Sequence, residues 1–326
     1  MTMTKDKILA RLLQAQGEPV SGQQLAEECS VSRTAVWKQI QTLQGQGYTI
    51  ETVKKKGYRL LASVETLSAG RVNLHLQTKR FGHHYLHYHD VTTTQAIAHE
   101  QVRLGAPDGT VIVAEHQTAG KGRMLREWSS ASNKGIWMTL LSRPEIPPHL
   151  APQFTLVAAV AVVNAIKALH PQLDPRIKWP NDLLIDGKKC TGILTEMVAE
   201  ADRVEAILIG IGINVNQQPE DFPQELQSIA TSLSIALGEP IDRAQLLAKV
   251  LYYFEHYSDL YVKHGFAKIK ALWENASITI GSNVRATTIR EVIEGKAIAI
   301  TESGVLQIQK VDGEIVPVYS ADIELM

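Results

Sequence analysis

KWPNDLLIDGKKCTGILTE, residues 178–196, is the stretch on which the fold turns. Pro180 keeps Trp179 out of a helix and in an extended or turn conformation. Asp186-Gly187 is a two-residue hairpin turn, flanked by apolar runs at 183–185 and 193–194, so the segment reads as two antiparallel strands. Asn181 and Asp182 then present an amide and a carboxylate at a strand end. Strict alternation along the return strand puts Lys189 on the face of Thr191 and Ile193, and Lys188 on the face of Cys190 and Gly192. Only one of the two lysines therefore faces the sheet interior.

Working outward, VNLHLQT (72–78), HYLHYHDV (84–91), GTVIVAEHQ (109–117), GIWMTLLSRP (135–144), RIKWP (176–180) and VEAILIGIGINV (204–215) read as further strands. Helical patterns at 93–104 and 152–170 lie between them, which predicts a mixed α/β or α+β sheet. AGKGRMLREW (119–128) follows one buried strand directly. Gly120 and Gly122 let backbone N–H groups approach a ligand, while Lys121, Arg123 and Arg126 add charge suited to a phosphate or acyl phosphate. Alone, such a loop equally describes a solvated turn. It is not a P-loop, because Gly122 rather than Ser or Thr follows Lys121. GIGINVN (210–216) is not a dinucleotide fingerprint, because position 215 is Val.

The N-terminal residues differ in character. Residues 1–63 hold nine Lys/Arg against five acids, a net +4 in a chain whose total is −1. Ile8, Leu9, Leu12 and Leu13 recur at helical spacing, ending at Gly17-Glu18-Pro19. Ser21 caps a second helix and Ser32 a third, RTAVWKQIQTLQ, with Ala35, Val36, Ile40 and Leu43 inward and Gly45 and Gly47 at its end. Two short strands with a lysine tip at 54–56 complete a winged helix-turn-helix. In that fold Arg33, Thr34 and Lys38 reach the major groove, and Lys54, Lys55 and Lys56 meet phosphates. Trp37 is expected to pack rather than touch bases. A solvated basic hairpin on a small helical domain is the alternative reading.

With 326 residues, 44% hydrophobic and 21% charged, the chain has globular composition and room for several domains. The near-zero net charge restricts nucleic-acid contact to a local patch. Cys29 and Cys190 form no CxxC motif, and no secretory pattern leads the chain, so a reducing cytoplasm is expected. FTLVAAVAVVNAI (154–166) reads as too short to span a bilayer.

Together AGKGRMLREW, KWPNDLL, GKKCTGILTE and GIGINV resemble the biotin–protein ligase family. The resemblance is to the subclass that carries a DNA-binding domain and acts as biotin-operon repressor. KWPND joined to a downstream K-x-x-G-I-L-x-E is its most specific part. It covers the whole chain and implies an α+β organisation in three parts: a winged helix-turn-helix at 1–63, a mixed-sheet, class II synthetase-like ligase core at 64–275, and an SH3-like β-barrel at 276–326. It implies that biotin and ATP, with Mg²⁺ carried mainly by the ATP phosphates, give biotinyl-5′-adenylate. Biotin then passes to a lysine of a biotin carboxyl carrier protein, of acetyl-CoA carboxylase or pyruvate carboxylase. Operator DNA and a ligand-induced homodimer are the other implied partners, with no membrane.

By the same resemblance, Lys189, Arg123 and Asp182 carry the chemistry, Asp182 as base or orienter. Thr92, Thr93, Thr94, Gln117, Gly120, Lys121, Trp128, Asn181, Gly192 and Asn214, with Arg123 and Lys189, contact biotin or the adenylate. The chain departs from the family's usual GRGR-x-GR loop at Lys121 and Leu125, and has Thr92 and Thr94 where Ser and Asn are common. A ligand-sensing repressor without ligase activity and a lipoate ligase are the competing readings. The histidines of FGHHYLHYHD suit a strand better than a zinc site. Cys190 reads as a packed residue, not a nucleophile, and the tyrosines at 252–261 as helix core.

Overall fold

The computed structural model describes residues 4–45, 48–62, 66–200 and 203–326. Helices α1 (Thr4–Gln14), α2 (Gly22–Cys29) and α3 (Arg33–Gly45) precede the hairpin of β1 (Thr49–Val53) and β2 (Gly57–Ala62). Ile8, Leu9, Leu12, Leu25, Val36, Ile40 and Leu43 form their buried core. Ser21 Oγ accepts from Gln24 N at 3.0 Å and Ser32 Oγ from Ala35 N at 3.2 Å, so both expected caps are made. Gly57 has φ 117°, and a Cβ there would lie 2.0 Å from Val20 O, because Val20 and Tyr58 exchange backbone hydrogen bonds that seat the wing. Gly47 and the expected boundary at 63/64 lie outside the described residues.

After α4 (Ala69–Val72), the central unit runs β3 (Tyr85–Val91), α5 (Thr94–Arg103), β4 (Thr110–Gln117), β5 (Ile136–Ser142) and α6 (Gln153–Leu169). It continues through β6 (Arg176–Lys178), β7 (Asp182–Ile185), β8 (Lys188–Glu200) and β9 (Arg203–Ile213) to α7 (Leu233–Leu237), α8 (Arg243–His264) and α9 (Ala267–Ala276). The sheet order is β3-β4-β5-β9-β8-β7-β6. Only the β3–β4 pair is parallel. Alternation along β9 divides the sheet. Ile207, Ile209, Ile211 and Ile213 pack into the large core with α6 and α8, and Ala206 and Leu208 pack under α5 with Ala98 and Val102.

Two segments depart from the sequence reading. VNLHLQT is not a strand: Val72 ends α4, and the N–H groups of Asn73, Leu74 and His75 donate to carbonyls three or four residues back. Its Val-Leu-Leu alternation imitates a strand, but local turns take those donors. The apolar run 154–166, read as too short to span a bilayer, lies in a longer helical segment, in which the 3-10 turn Pro148–Leu150 precedes α6. Pro148–Leu169 spans 22 residues and contains an 18-residue window of mean hydropathy 1.6, long and apolar enough to cross a membrane by length and composition, yet 72% of that window is buried within the protein.

The C-terminal unit is a five-stranded antiparallel sheet of order β13-β12-β11-β10-β14. Its strands are β10 (Asn283–Thr287), β11 (Val292–Ile300), β12 (Leu306–Gln309), β13 (Ile315–Val318) and β14 (Asp322–Leu325). It docks on the central sheet: Ser277 bridges to Ile177, Trp179 N donates to Thr279 Oγ1 at 2.9 Å, and Trp179 Nε1 to Gly304 O at 3.2 Å. In the α8 aromatic run Phe254, Tyr257 and Tyr261 are core, whereas Tyr252 lies on the surface, where Lys249 Nζ sits 5.2 Å from its ring.

Candidate active site and nucleic-acid interface

The α5 face of the sheet ends in three glycines. A Cβ on Gly192 or Gly212 would meet the Trp128 indole at 2.6 Å, so the ring lies flush on bare backbone of β8 and β9. A β-bulge then decides which lysine joins it. Leu183 pairs with Thr191 but Leu184 with Lys189, leaving Cys190 as the extra residue of β8. The bulge breaks the expected alternation: Cys190, Thr191 and Ile193 are all buried, and Lys189 comes round to the side of Gly192 and Trp128. Lys189 Nζ is 5.3 Å from the Trp128 ring centroid and 2.8 Å from Asp182 Oδ1. Burial pushes the Cys190 thiol up to about 12, which leaves it an inert packed group.

The basic loop covers this face. Gly122 N donates to Arg126 O and Trp128 N to Gly120 O, closing the loop on itself. Gly120 is needed for close approach, because a Cβ there would lie 2.4 Å from Trp128 O and 3.1 Å from Gln117 Nε2. The backbone strain falls on Met124, at φ 54°, inside the 3-10 turn Arg123–Leu125. Arg123 donates to Asn181 Oδ1 at 3.2 Å and to Ser320 Oγ at 2.7 Å, and Arg126 pairs with Asp322. The C-terminal unit therefore holds the loop, a contact that sequence spacing does not reveal. Burial lowers the Arg123 pKa against the opposing charges of Asp182 and Asp322, with Arg126 adding to the lowering.

The threonine segment meets the loop's other end. Gln117 Oε1 accepts from Thr94 N at 2.8 Å and Thr94 Oγ1 at 3.2 Å, and Gln117 Nε2 donates to Ser130 Oγ at 3.1 Å. Thr93 Oγ1 caps α5 by accepting from Gln95 N. Thr92 and Lys121 are exposed, and Thr92 O accepts from Ala119 N. Asn181 is buried and donates to Ile193 O at 2.9 Å. Asn214 stands apart in one respect: its amide is used inside the protein, donating to Thr231 O and accepting from Gln217 Nε2, while its N–H donates to Cys190 O.

Sequence reasoning missed Glu115 and Arg243, which are 128 positions apart. Glu115 is 0% and Arg243 2% exposed, with Nη1 2.9 Å from Oε2. The other carboxylate oxygen accepts from Leu67 N, in the segment leading from the N-terminal unit, and meets His87 Nε2 at 2.8 Å. His84 contacts Thr110 Oγ1 and His83 contacts Thr78 O, so these histidines serve separate local bonds.

On the N-terminal unit Arg33, Thr34 and Lys38 are exposed on α3, as are Lys54, Lys55 and Lys56 on the wing. Trp37 is 51% exposed, against expectation. The helix buries only the stripe of Val36, Ile40 and Leu43, and Trp37 joins the exposed basic face. Such a surface fits a duplex, the helix toward base edges and the wing toward phosphates. Replacing Lys54, Lys55 and Lys56 by Ala is expected to weaken DNA binding on any sequence. The slope of log K against log salt should fall by about 0.9 for each phosphate that the wing no longer neutralises, measurable by anisotropy titrations across KCl concentrations.

Comparison with known proteins agrees region by region. An HTH domain family matches residues 4–59, the biotin/lipoate A/B protein ligase family 88–214, and the biotin protein ligase C terminal domain 279–326. Bifunctional ligase/repressor BirA of Bacillus subtilis (strain 168) is 51% identical over 326 residues, covering 99% of each chain. That of Escherichia coli (strain K12) is 30% identical over 323 residues, covering 98% of this chain and 96% of the relative. A biotin protein ligase from Aquifex aeolicus, solved in complex with biotin and ATP, aligns with a TM-score of 0.64 at 28% identity, covering 75% of this chain and 99% of that one. Identity of this order along the whole length, over a fold with a helix-turn-helix in front of a ligase sheet, shows that the chain belongs to the bifunctional ligase/repressor family of biotin–protein ligases.

Proposed function

We propose that the chain condenses biotin with ATP to biotinyl-5′-adenylate, transfers biotin to a lysine of a carboxyl carrier protein, and represses transcription with the adenylate as corepressor. The observation that carries this reading is the Lys189–Asp182–Trp128 cluster under a basic loop. In the first step a carboxylate oxygen of biotin attacks the α-phosphorus and pyrophosphate leaves. Two anions must approach, so fixed cations lower the barrier. Lys189 supplies one, and Asp182, at 2.8 Å, orients it. Arg123, held by Asn181 and Ser320, supplies a second from the loop. Gly120, Lys121, Gln117, Thr92, Thr93 and Thr94 line the biotin end, and Trp128 with Gly192 the adenylate. Asn214 supports the Lys189 strand through its bond to Cys190 O.

In the second step the carrier's lysine amine attacks the acyl carbonyl, AMP leaves and the amine loses its proton. Closure of the loop keeps water from the mixed anhydride. Among the described residues no group of three or more His, Cys, Asp or Glu is placed to hold a metal ion. Mg²⁺ would arrive on the ATP phosphates and retain its waters, with Asp182 as the nearby carboxylate. When bound, the ion neutralises the leaving pyrophosphate.

Repression is assigned to residues 1–63 and both ligase steps to 64–275, with 276–326 holding the basic loop through Ser320 and Asp322. We assign the carrier to acetyl-CoA carboxylase or pyruvate carboxylase and the site of action to the cytoplasm. Strand β3 ends the sheet on one side, whereas the other edge, β6, is bridged by Ser277. A second copy that pairs at the β3 edge when the adenylate orders the loop would align two α3 helices on a palindrome. Protein incubated with biotin and MgATP, desalted and denatured, is expected to release biotinyl-5′-adenylate by mass spectrometry. Release of unmodified biotin alone would favour a sensor and count against the ligase.

A Gly212→Val substitution tests the geometry. It drives side-chain atoms into the Trp128 ring, and displacing that ring by an ångström is expected to lower kcat/KM for ATP by about 10²-fold in pyrophosphate release.

A further inference from the structure

Neither core packing nor phosphate contact employs Trp37, the large apolar side chain on the outer face of α3. It is 51% exposed, and among the described residues its indole has no hydrogen-bond or cationic partner. Single exposed apolar side chains are ordinary on a protein surface, so exposure alone assigns nothing. The surroundings of Trp37 do. The buried stripe of α3 is Val36, Ile40 and Leu43, and the exposed face carries Arg33, Thr34, Trp37, Lys38 and Gln41. Arg33, Trp37 and Gln41 are spaced four apart, so they form one ridge along that face, about 6 Å from one to the next.

None of the 13 residues of α3 is acidic. The acids of α2 are occupied locally, Glu28 by Arg11 and Gln24, and Glu27 by Gln23. Two cations with no opposing carboxylate fit a polyanion. The helix belongs to a helix-turn-helix with a lysine-tipped wing, which makes that polyanion a duplex. An indole carried into a major groove on this face meets base edges that are polar except at one group. Guanine, cytosine and adenine present donors and acceptors there, and thymine adds a 5-methyl group. Packing the ring on that methyl is the contact that removes apolar surface of both partners from water.

We propose that Trp37 is a specificity-determining residue of the DNA-binding unit and reads a thymine through its 5-methyl group. The proposal rests on the repressor reading and adds a base contact to those of Arg33, Thr34 and Lys38. The ridge spacing puts that thymine within about two base pairs of the base that Arg33 contacts. The wing lysines give affinity on any sequence, whereas Trp37 gives preference for one base.

The test uses the full chain with biotin and MgATP, which first selects its duplex from a randomised pool. Every dT of that duplex is then replaced singly by deoxyuridine, which lacks only the methyl group. With the wild type, binding is expected to weaken about 4-fold at the contacted thymine, the fold-change for burial of one methyl. With Trp37→Ala the same replacement should change nothing, while affinity for the unmodified duplex falls. Trp37→Phe, whose ring also packs on a methyl, should recover part of the preference. An apolar contact releases no counterion, so the slope of log K against log salt should be the same for W37A and the wild type. Each comparison sets two duplexes against one protein, so a smaller folded fraction of W37A does not alter it.

A deoxyuridine penalty that persists undiminished in W37A would overturn the proposal. So would a wild type indifferent to every replacement while W37A weakens all duplexes equally, which would place the indole against the sugar–phosphate backbone. W37A that binds DNA as the wild type does and changes only self-association would give this face to a second copy and refute Trp37 alone. A wild type that selects no duplex refutes the repressor reading and this proposal together.

Discussion

Lys189→Ala is expected to slow adenylate formation by about 10²- to 10³-fold, the loss typical of removing one preorganised group that stabilises charge in a transition state. The bulge at Cys190 delivers the ammonium to the glycine face, and Asp182 and Trp128 confine it there at 2.8 Å and 5.3 Å. Its position is therefore built before substrate arrives, and little reorganisation accompanies the reaction. Lys189→Arg keeps the charge on a longer planar group and should recover only part of the rate. Pyrophosphate release at saturating biotin and MgATP reads the effect in kcat. A Lys189→Ala enzyme with undiminished kcat would remove this residue from the chemistry.

Arg243→Ala is expected to destabilise the fold by about 3–5 kcal/mol, because it strands the carboxylate of Glu115 in the interior. That carboxylate is 0% exposed, and Arg243 is its buried cationic partner. The loss should appear in the urea midpoint of unfolding. Burial pushes the Glu115 carboxyl up, but the His87 hydrogen bond, the Arg243 charge and the Leu67 N–H outweigh it and hold it below its ordinary value of 4.5. A carboxyl lowered in the folded state adds stability that is complete above the unfolded value and disappears as pH falls through the folded one. Glu115→Gln should therefore flatten the acid limb of a stability–pH curve below about pH 4.5. An unaltered limb would show that Glu115 does not contribute to it. Since Glu115 also holds Leu67 N, Arg243→Ala should loosen the segment joining the N-terminal unit to the sheet.

The features legible in the sequence are those set by neighbours a few residues apart. Asp186-Gly187 is a hairpin turn at φ 50° and 75°, and the caps at Ser21 and Ser32 form as their residue types predict. The motif residues Lys189, Asp182, Asn181, Arg123, Trp128 and Gly192 come together because one hairpin and one loop carry them. What is not legible depends on partners far along the chain. The bulge follows from how β8 pairs with β7, and it reverses the face that simple alternation assigns to Lys189. The size of Trp37 suggests burial, but α3 buries a narrower stripe. Glu115 and Arg243 meet only once the sheet and α8 are assembled, and Arg123 finds Ser320 only through the docked C-terminal unit.

The central claim is that one chain both activates biotin and delivers it. Purified protein, radiolabelled biotin, MgATP and an apo carrier domain, with Lys189→Ala in parallel, test it most directly. The account predicts label covalently on the carrier lysine with the wild type and a severe loss with the variant. Tight biotin binding by the wild type with no label on the carrier would contradict it.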